Sequence, residues 1–140
     1  GNVVHYGPIE KFICELGERY NIREIAYDRW NATTMVQALE DDGFTMIPFG
    51  QGFRDMSPPT KELMRIVLEH RLNHGGHPVL RWNFDNAYVR TDPAGNLKLD
   101  KEKSTEKIDG AVALVMALDR AMKNQNGGDS VYDDRGLLLL

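Results

Sequence analysis

The 140-residue chain holds a single cysteine, Cys14, so it can form no internal disulfide, no zinc ribbon and no CxxC redox pair. That scarcity suits a reducing compartment. Long apolar runs are also missing: none approaches the roughly 18 residues that cross a bilayer, and the N-terminus lacks the basic-then-apolar layout of a secretory signal. A cytoplasmic setting without a membrane partner is therefore expected. No GxxxxGK[ST] string occurs, which excludes a P-loop ATPase within this stretch, and no internal repeat is present. Positive charge is not in excess. The formal net charge of -4 argues against an unselective nucleic-acid coat but leaves room for a local basic face that grips a phosphate backbone.

What is present describes an ordinary globular chain. A hydrophobic content of 41% and a charged content of 27% lie near the averages for folded domains, and the length is enough to bury one core. Pro8 suits the first turn of a helix, and Ile9, Phe12, Ile13 and Leu16 follow on one stripe, which predicts a helix over 8–20. Residues 22–27 are β-prone and stop at Asp28. Asn31 can cap a helix through Met35, Val36 and Leu39 that Gly43 ends, and 44–49 reads as a second strand. Strand, helix and strand in succession favour a parallel pair, and ligands gather beyond the carboxyl ends of such strands. Asp28 occupies that position.

Residues 50–56 (GQGFRDM) read as a loop, followed by a helix with Ser57 as cap and Pro58 in its first turn, carrying Leu63, Ile66 and Val67 and ending at Gly75-Gly76. The stretch 77–87 is ambiguous by period. Residues 88–99 are expected to form a hairpin turning at Asp92-Pro93-Ala94-Gly95-Asn96. A charged connector with four lysines against three acids spans 98–107. Ser104 or Thr105 would then cap a helix with Ile108, Val112, Val115 and Met122 on its stripe, with Asp109 in its first turn. From Asn124 the chain is polar, Gly-rich and aperiodic until a closing Leu137 to Leu140 run, so 124–140 is expected to be a tail that docks on a neighbouring subunit or marks an end.

Asp28 and Asp109 are the residues chosen for chemistry. One ends a strand; the other begins a helix, where the macrodipole and free N–H groups favour the ionised carboxylate that coordinates Mg²⁺ or Mn²⁺. A two-metal phosphodiesterase needs several hard oxygen ligands around ions about 3.5 to 4 Å apart, and two aspartates supply part of that set. The plainer reading is also open, because Asp is common in turns at strand ends and in first helical turns. His70, His74 and His77 form an HxxxHxxH run with zinc-like spacing, but a run straddling a helix end reads better as solvated histidines, or as phosphate contacts that strengthen below about pH 6.5. Gln51, Arg54, Lys61, Arg65, Arg81, Lys101, Lys103 and Lys107 are candidate DNA-backbone contacts, with Lys103 and Lys107 preferred. Trp30 and Trp82 are expected in or near the core, Cys14 as a small buried hydrophobe, and Asp41 and Asp42 as solvated charge.

Four strings in this order, IAYDRWNATTMVQALEDDGF, PFGQGFRDMSPPTKELMRIV, HPVLRWNFDNA and DPAGNLKLDKEKSTEKIDGAVALVMALDRA, resemble the nuclease region of large terminase subunits of tailed phages. The resemblance covers residues 1–123. It implies an α/β, RNase H-like fold, partial here, with a central mixed sheet flanked by helices. It also implies a Mg²⁺- or Mn²⁺-dependent endonuclease that cuts concatemeric double-stranded DNA during genome packaging, with the terminase small subunit and portal protein as partners. Asp28, in YDRW, matches the second metal-binding carboxylate of that family, and Asp109, in KIDGAVALVMA, matches the third. The first acidic ligand would lie upstream of the opening helix, so the stretch is expected to lack one ligand, with weak or absent activity unless an acid such as Asp85 substitutes. The alternatives are a non-catalytic module that docks DNA or portal, and another RNase H-like nuclease of the resolvase or transposase kind.

Overall fold

The structure, a computed structural model, describes residues 6–30, 33–73, 75–76, 78–104, 107–127 and 138–139. The chain divides into two compact units, Gly1–Phe49 and Gly50–Leu140.

In the first unit, α1 (Gly7–Arg19) starts with proline in its first turn, as its sequence predicts, and its C-cap Tyr20 donates its N–H to the Leu16 carbonyl. The apolar stripe on α1 is only half used: Ile13 and Leu16 are partly buried, while Ile9 and Phe12 remain exposed. Gly17 permits the close approach of Phe44, because a Cβ there would stand 3.0 Å from the ring. β1 (Ile25–Asp28) and β2 (Met46–Phe49) pair in parallel with α2 (Thr33–Asp41) between them, which confirms the strand-helix-strand reading. The Asn31 cap lies outside the described residues. Leu39 is 1% exposed and anchors α2, and Gly43, at φ +100°, stops that helix through Gly43 N–H to Glu40 O and Phe44 N–H to Leu39 O.

The second unit contains α3 (Phe53–Leu68), β3 (Leu72–Asn73), α4 (Pro78–Asn86), β4 (Tyr88–Thr91), β5 (Leu97–Asp100), α5 (Asp109–Gly127) and β6 (Leu138–Leu139). Its core is made by Met56, Leu63 and Ile66 of α3, Leu99 of β5, and Ile108, Ala111, Val112, Leu114, Val115, Met116 and Leu118 at and along α5. Because α5 is apolar on several faces, it is buried on several faces. Among the described residues the strands lie in three two-stranded ladders: parallel β1–β2, parallel β3–β6 and antiparallel β4–β5. The expected central mixed sheet is distributed over these pairs.

Four boundaries differ from expectation. α3 begins at Phe53, not at Ser57, so Pro58 and Pro59 lie inside it. Burial of Met56, 2% exposed, draws the preceding turn into the helix despite the two missing proline amides. Ser57 is buried, and its Oγ accepts the Leu97 N–H at 3.0 Å. The helix stops at Leu68, before the two glycines. His70 takes φ 54°, and the bonds Arg71 N–H to Ile66 O and His70 N–H to Val67 O form a Schellman motif. α5 starts at Asp109 without a Ser104 cap, because Ser104 is spent on the preceding turn: it donates to Asp100 O and accepts from Tyr88 N–H. Thr105 lies outside the described residues. α5 also runs through Gly127, past the expected start of the tail at Asn124, and Leu138–Leu139 pair with this chain's own β3.

The hairpin is as predicted. Asp92 organises its turn, accepting N–H groups of Ala94 and Asn96 and the Asn96 side-chain amide. Those bonds hold the Asp92 carboxyl below the ordinary carboxylate range. Asp100 is held low in the same way by the N–H groups of Lys103 and Glu102.

Candidate functional site

Asp28 is the last residue of β1, paired with Phe49, and is partly buried. Its Oδ1 accepts the N–H of Trp30 at 3.1 Å, an Asx-type turn that follows the strand directly. The bond fixes the carboxylate's rotamer at the strand's carboxyl end, where parallel sheets collect ligands.

Asp109 is the first residue of α5 and is exposed. The preceding Ile108, 2% exposed, anchors the entry to the helix, and its carbonyl takes the Val112 N–H. The neighbouring N–H, that of Gly110, is claimed from a distance. Asn83 on α4 is 4% exposed; its Oδ1 accepts the Gly110 N–H at 2.9 Å, while its Nδ2 donates to Val79 O at 2.7 Å. A buried side chain on one helix therefore caps the other at the point where it presents its acidic residue. Nothing in the sequence signals this role, because the partners lie 27 positions apart and the segment around Asn83 has no clear period.

Asp28 belongs to the first compact unit and Asp109 to the second. Both offer hard carboxylate oxygens of the kind Mg²⁺ and Mn²⁺ prefer. Among the described residues, no group of three or more His, Cys, Asp or Glu gathers as a metal cage. Asp85, the possible substitute, is exposed on α4.

The cations fall into two groups. Arg54, in the first turn of α3, is exposed, as are Lys61, Arg81, Lys101, Lys103 and Lys107. Arg65 is committed within its own helix to Glu62 and Glu69, and the resulting ion pairs push its guanidinium further toward the charged form. Gln51 donates to the Met116 sulfur. His70 serves as the left-handed residue ending α3, which gives the first histidine of the run a backbone role, while His74 and His77 lie outside the described residues.

Three expectations about burial need correction. Trp30 is 77% exposed in the turn after Asp28, with the Arg29 guanidinium over its ring, and Trp82 is 47% exposed on α4. The buried position beside Trp82 is taken by Asn83. Cys14 is partly buried, and its thiol donates to Asp42 at 3.4 Å; desolvation first, then the Asp42 carboxylate, push it up and keep it protonated. Asp42, read as solvated charge, in turn raises Glu10 through a side-chain hydrogen bond.

The fold is that of an α/β protein with one acidic residue at a strand end and another at a helix start. The sequence narrows this class, since residues 1–125 match the family described as terminase large subunit, endonuclease domain. The chain belongs to that family. It is 38% identical over 138 residues to the large terminase subunit of Enterobacteria phage HK97, an alignment covering 96% of this chain and 27% of the relative. Protein YmfN of Escherichia coli K12 is 36% identical over 72% of this chain and 23% of its own length. The terminase large subunit of Lactococcus phage SK1 is 29% identical over 74% of this chain and 20% of its own. The crystal structure of the HK97 bacteriophage large terminase superposes with a TM-score of 0.77 at 38% identity, over 86% of this chain and 26% of that one. The fold is thus that of a terminase nuclease region, RNase H-like, and the chain spans about a quarter of the relatives' length. Among the described residues no helix is long and apolar enough to cross a membrane.

Proposed function

We propose that the protein carrying this chain is a metal-dependent endonuclease that cuts concatemeric phage DNA during packaging, with Asp28 and Asp109 as two of its metal ligands. One observation supports this reading above the others. The residues that match the endonuclease-domain family also put one carboxylate at the end of a parallel strand and another at the start of a buried helix.

Within that reading each residue has a distinct task. Asp28, its rotamer held by the Trp30 N–H, and Asp109, its backbone held through Asn83 and Gly110, would hold Mg²⁺ or Mn²⁺. When bound, the metal supplies Lewis-acid activation of the scissile phosphate and of the attacking water. Arg54, Lys103 and Lys107 neutralise backbone phosphates without reading sequence. Double-stranded DNA is the substrate, and the small subunit and portal are the packaging partners that membership of the family suggests.

The test has two arms. In the 140-residue chain, Mn²⁺ titration followed by NMR should broaden the Asp28 and Asp109 amide signals first. In the full-length protein, Asp28→Asn and Asp109→Asn should each lower plasmid cleavage by about 100-fold or more, the loss expected when a ligand to the catalytic ion is neutralised. Unchanged cleavage in both variants would remove the two aspartates from the mechanism.

A further inference from the structure

The β4–β5 ladder places two cations directly opposite each other. Arg90 and Lys98 are register partners, and both pack against one aromatic ring: the Lys98 ammonium lies 4.8 Å and the Arg90 guanidinium 6.0 Å from the centroid of Phe53, the first residue of α3. Like charges directly opposite on an antiparallel pair are destabilising. The ring offsets part of that repulsion and holds both long side chains, so their freedom is already restricted before anything binds.

The acids nearby make no direct ion pair with either cation. Among the described residues, neither Arg90 nor Lys98 forms a salt bridge. Asp92 is occupied by the amides of its own turn, with Lys61 its nearby cation. Asp100 is two positions from Lys98 and close enough to feel Arg90, but its Oδ1 accepts the N–H groups of Glu102 and Lys103. Arg54 follows Phe53 on α3 and is exposed, and Lys101 and Lys103 follow the end of β5. The hairpin, residues 88–100, sets two acids, Asp92 and Asp100, against Arg90 and Lys98, so the pair stands out by its position, opposite one another over Phe53, and not by an excess of charge.

We propose that the β4–β5 hairpin binds the DNA backbone, with one phosphate seated between Arg90 and Lys98 over the face of Phe53. This rests on DNA being the substrate and adds a grip distinct from Asp28 and Asp109. A phosphodiester fits because it is an anion with oxygens on several sides, able to accept from a guanidinium and an ammonium together. Bound there, it turns the cross-strand repulsion into a bridge. The contact carries no sequence information and fixes the position of the duplex.

The experiment measures binding of the 140-residue chain to a dye-labelled duplex of about 20 bp by fluorescence anisotropy, from about 20 to 200 mM NaCl. The double variant Arg90→Gln, Lys98→Gln should lower the slope of log K against log salt by about 0.9, the value of one phosphate contact. Its thermal midpoint should hold or rise, because the repulsion has been removed, and Arg90→Lys should keep the wild-type slope. If the double variant does not fold, Lys98→Gln alone, which leaves Arg90 on the shared phosphate, should lower the affinity at about 20 mM NaCl and the slope by less than about 0.9. A wild-type chain that binds duplex and a folded variant with the same affinity and slope would overturn the hairpin's role while leaving the substrate reading intact. A wild-type chain that does not bind duplex even at the lowest salt would overturn both.

Discussion

His70 does what glycine usually does. It takes the left-handed conformation that closes α3, at φ 54°, where a side chain costs roughly 1–2 kcal/mol relative to the right-handed region. His70→Gly should therefore stabilise the chain by about 1 kcal/mol in denaturant titration, and unchanged or lower stability would show that the imidazole makes a compensating interaction. The residue also shows why spacing misleads. Gly75 and Gly76 looked like the stop signal for this helix, yet both sit at positive φ in the turn beyond it. Trp30 and Trp82 mislead similarly. Their apolar neighbours suggest core, whereas the burial of α4 falls on the polar Asn83. Side-chain identity predicts burial only when tertiary packing does not choose another residue for the same face.

At the scale of elements, local chemistry was readable and long-range capping was not. The hairpin was legible because Asp92-Pro93-Ala94-Gly95-Asn96 contains its own folding instructions, and the parallel pair because β-prone runs flank a capped, glycine-terminated helix. Both aspartates fell where expected, at the end of β1 and the start of α5. The cap of α5 was not legible because it comes from another helix. Asn83→Ala should expose the cost of that arrangement: loss of a buried cap leaves the Gly110 N–H unsatisfied and should destabilise by about 2 kcal/mol. Asn83→Asp keeps an acceptor and should recover most of that loss. Denaturant unfolding of the two variants measures this, and equal stabilities would show that Asn83 acts only as filler.

For the whole molecule, burial is unevenly shared. α1 has no buried residue, and among the described residues the first unit's buried apolar side chains are Val36, Leu39 and Phe49, whereas α5 alone buries six between Ala111 and Leu118. Local opening follows buried apolar area, so the amides of α1 should exchange on the order of 100-fold faster than those of central α5. Uniform protection across both, measured by hydrogen exchange, would contradict this.

Pro48 adds a direction to the parallel ladder. Ile25 N–H bonds Thr45 O and Arg29 N–H bonds Phe49 O, a phase in which the β2 amides facing β1 belong to Ile47 and Phe49. The Pro48 position consequently faces the opposite way, and there it has no hydrogen to donate. That border of the ladder therefore offers a third strand one donor fewer. A strand added along Ile25–Asp28 meets no such gap, and it would convert the strand that ends in Asp28 from a margin into an interior member and enclose its carboxylate between neighbours.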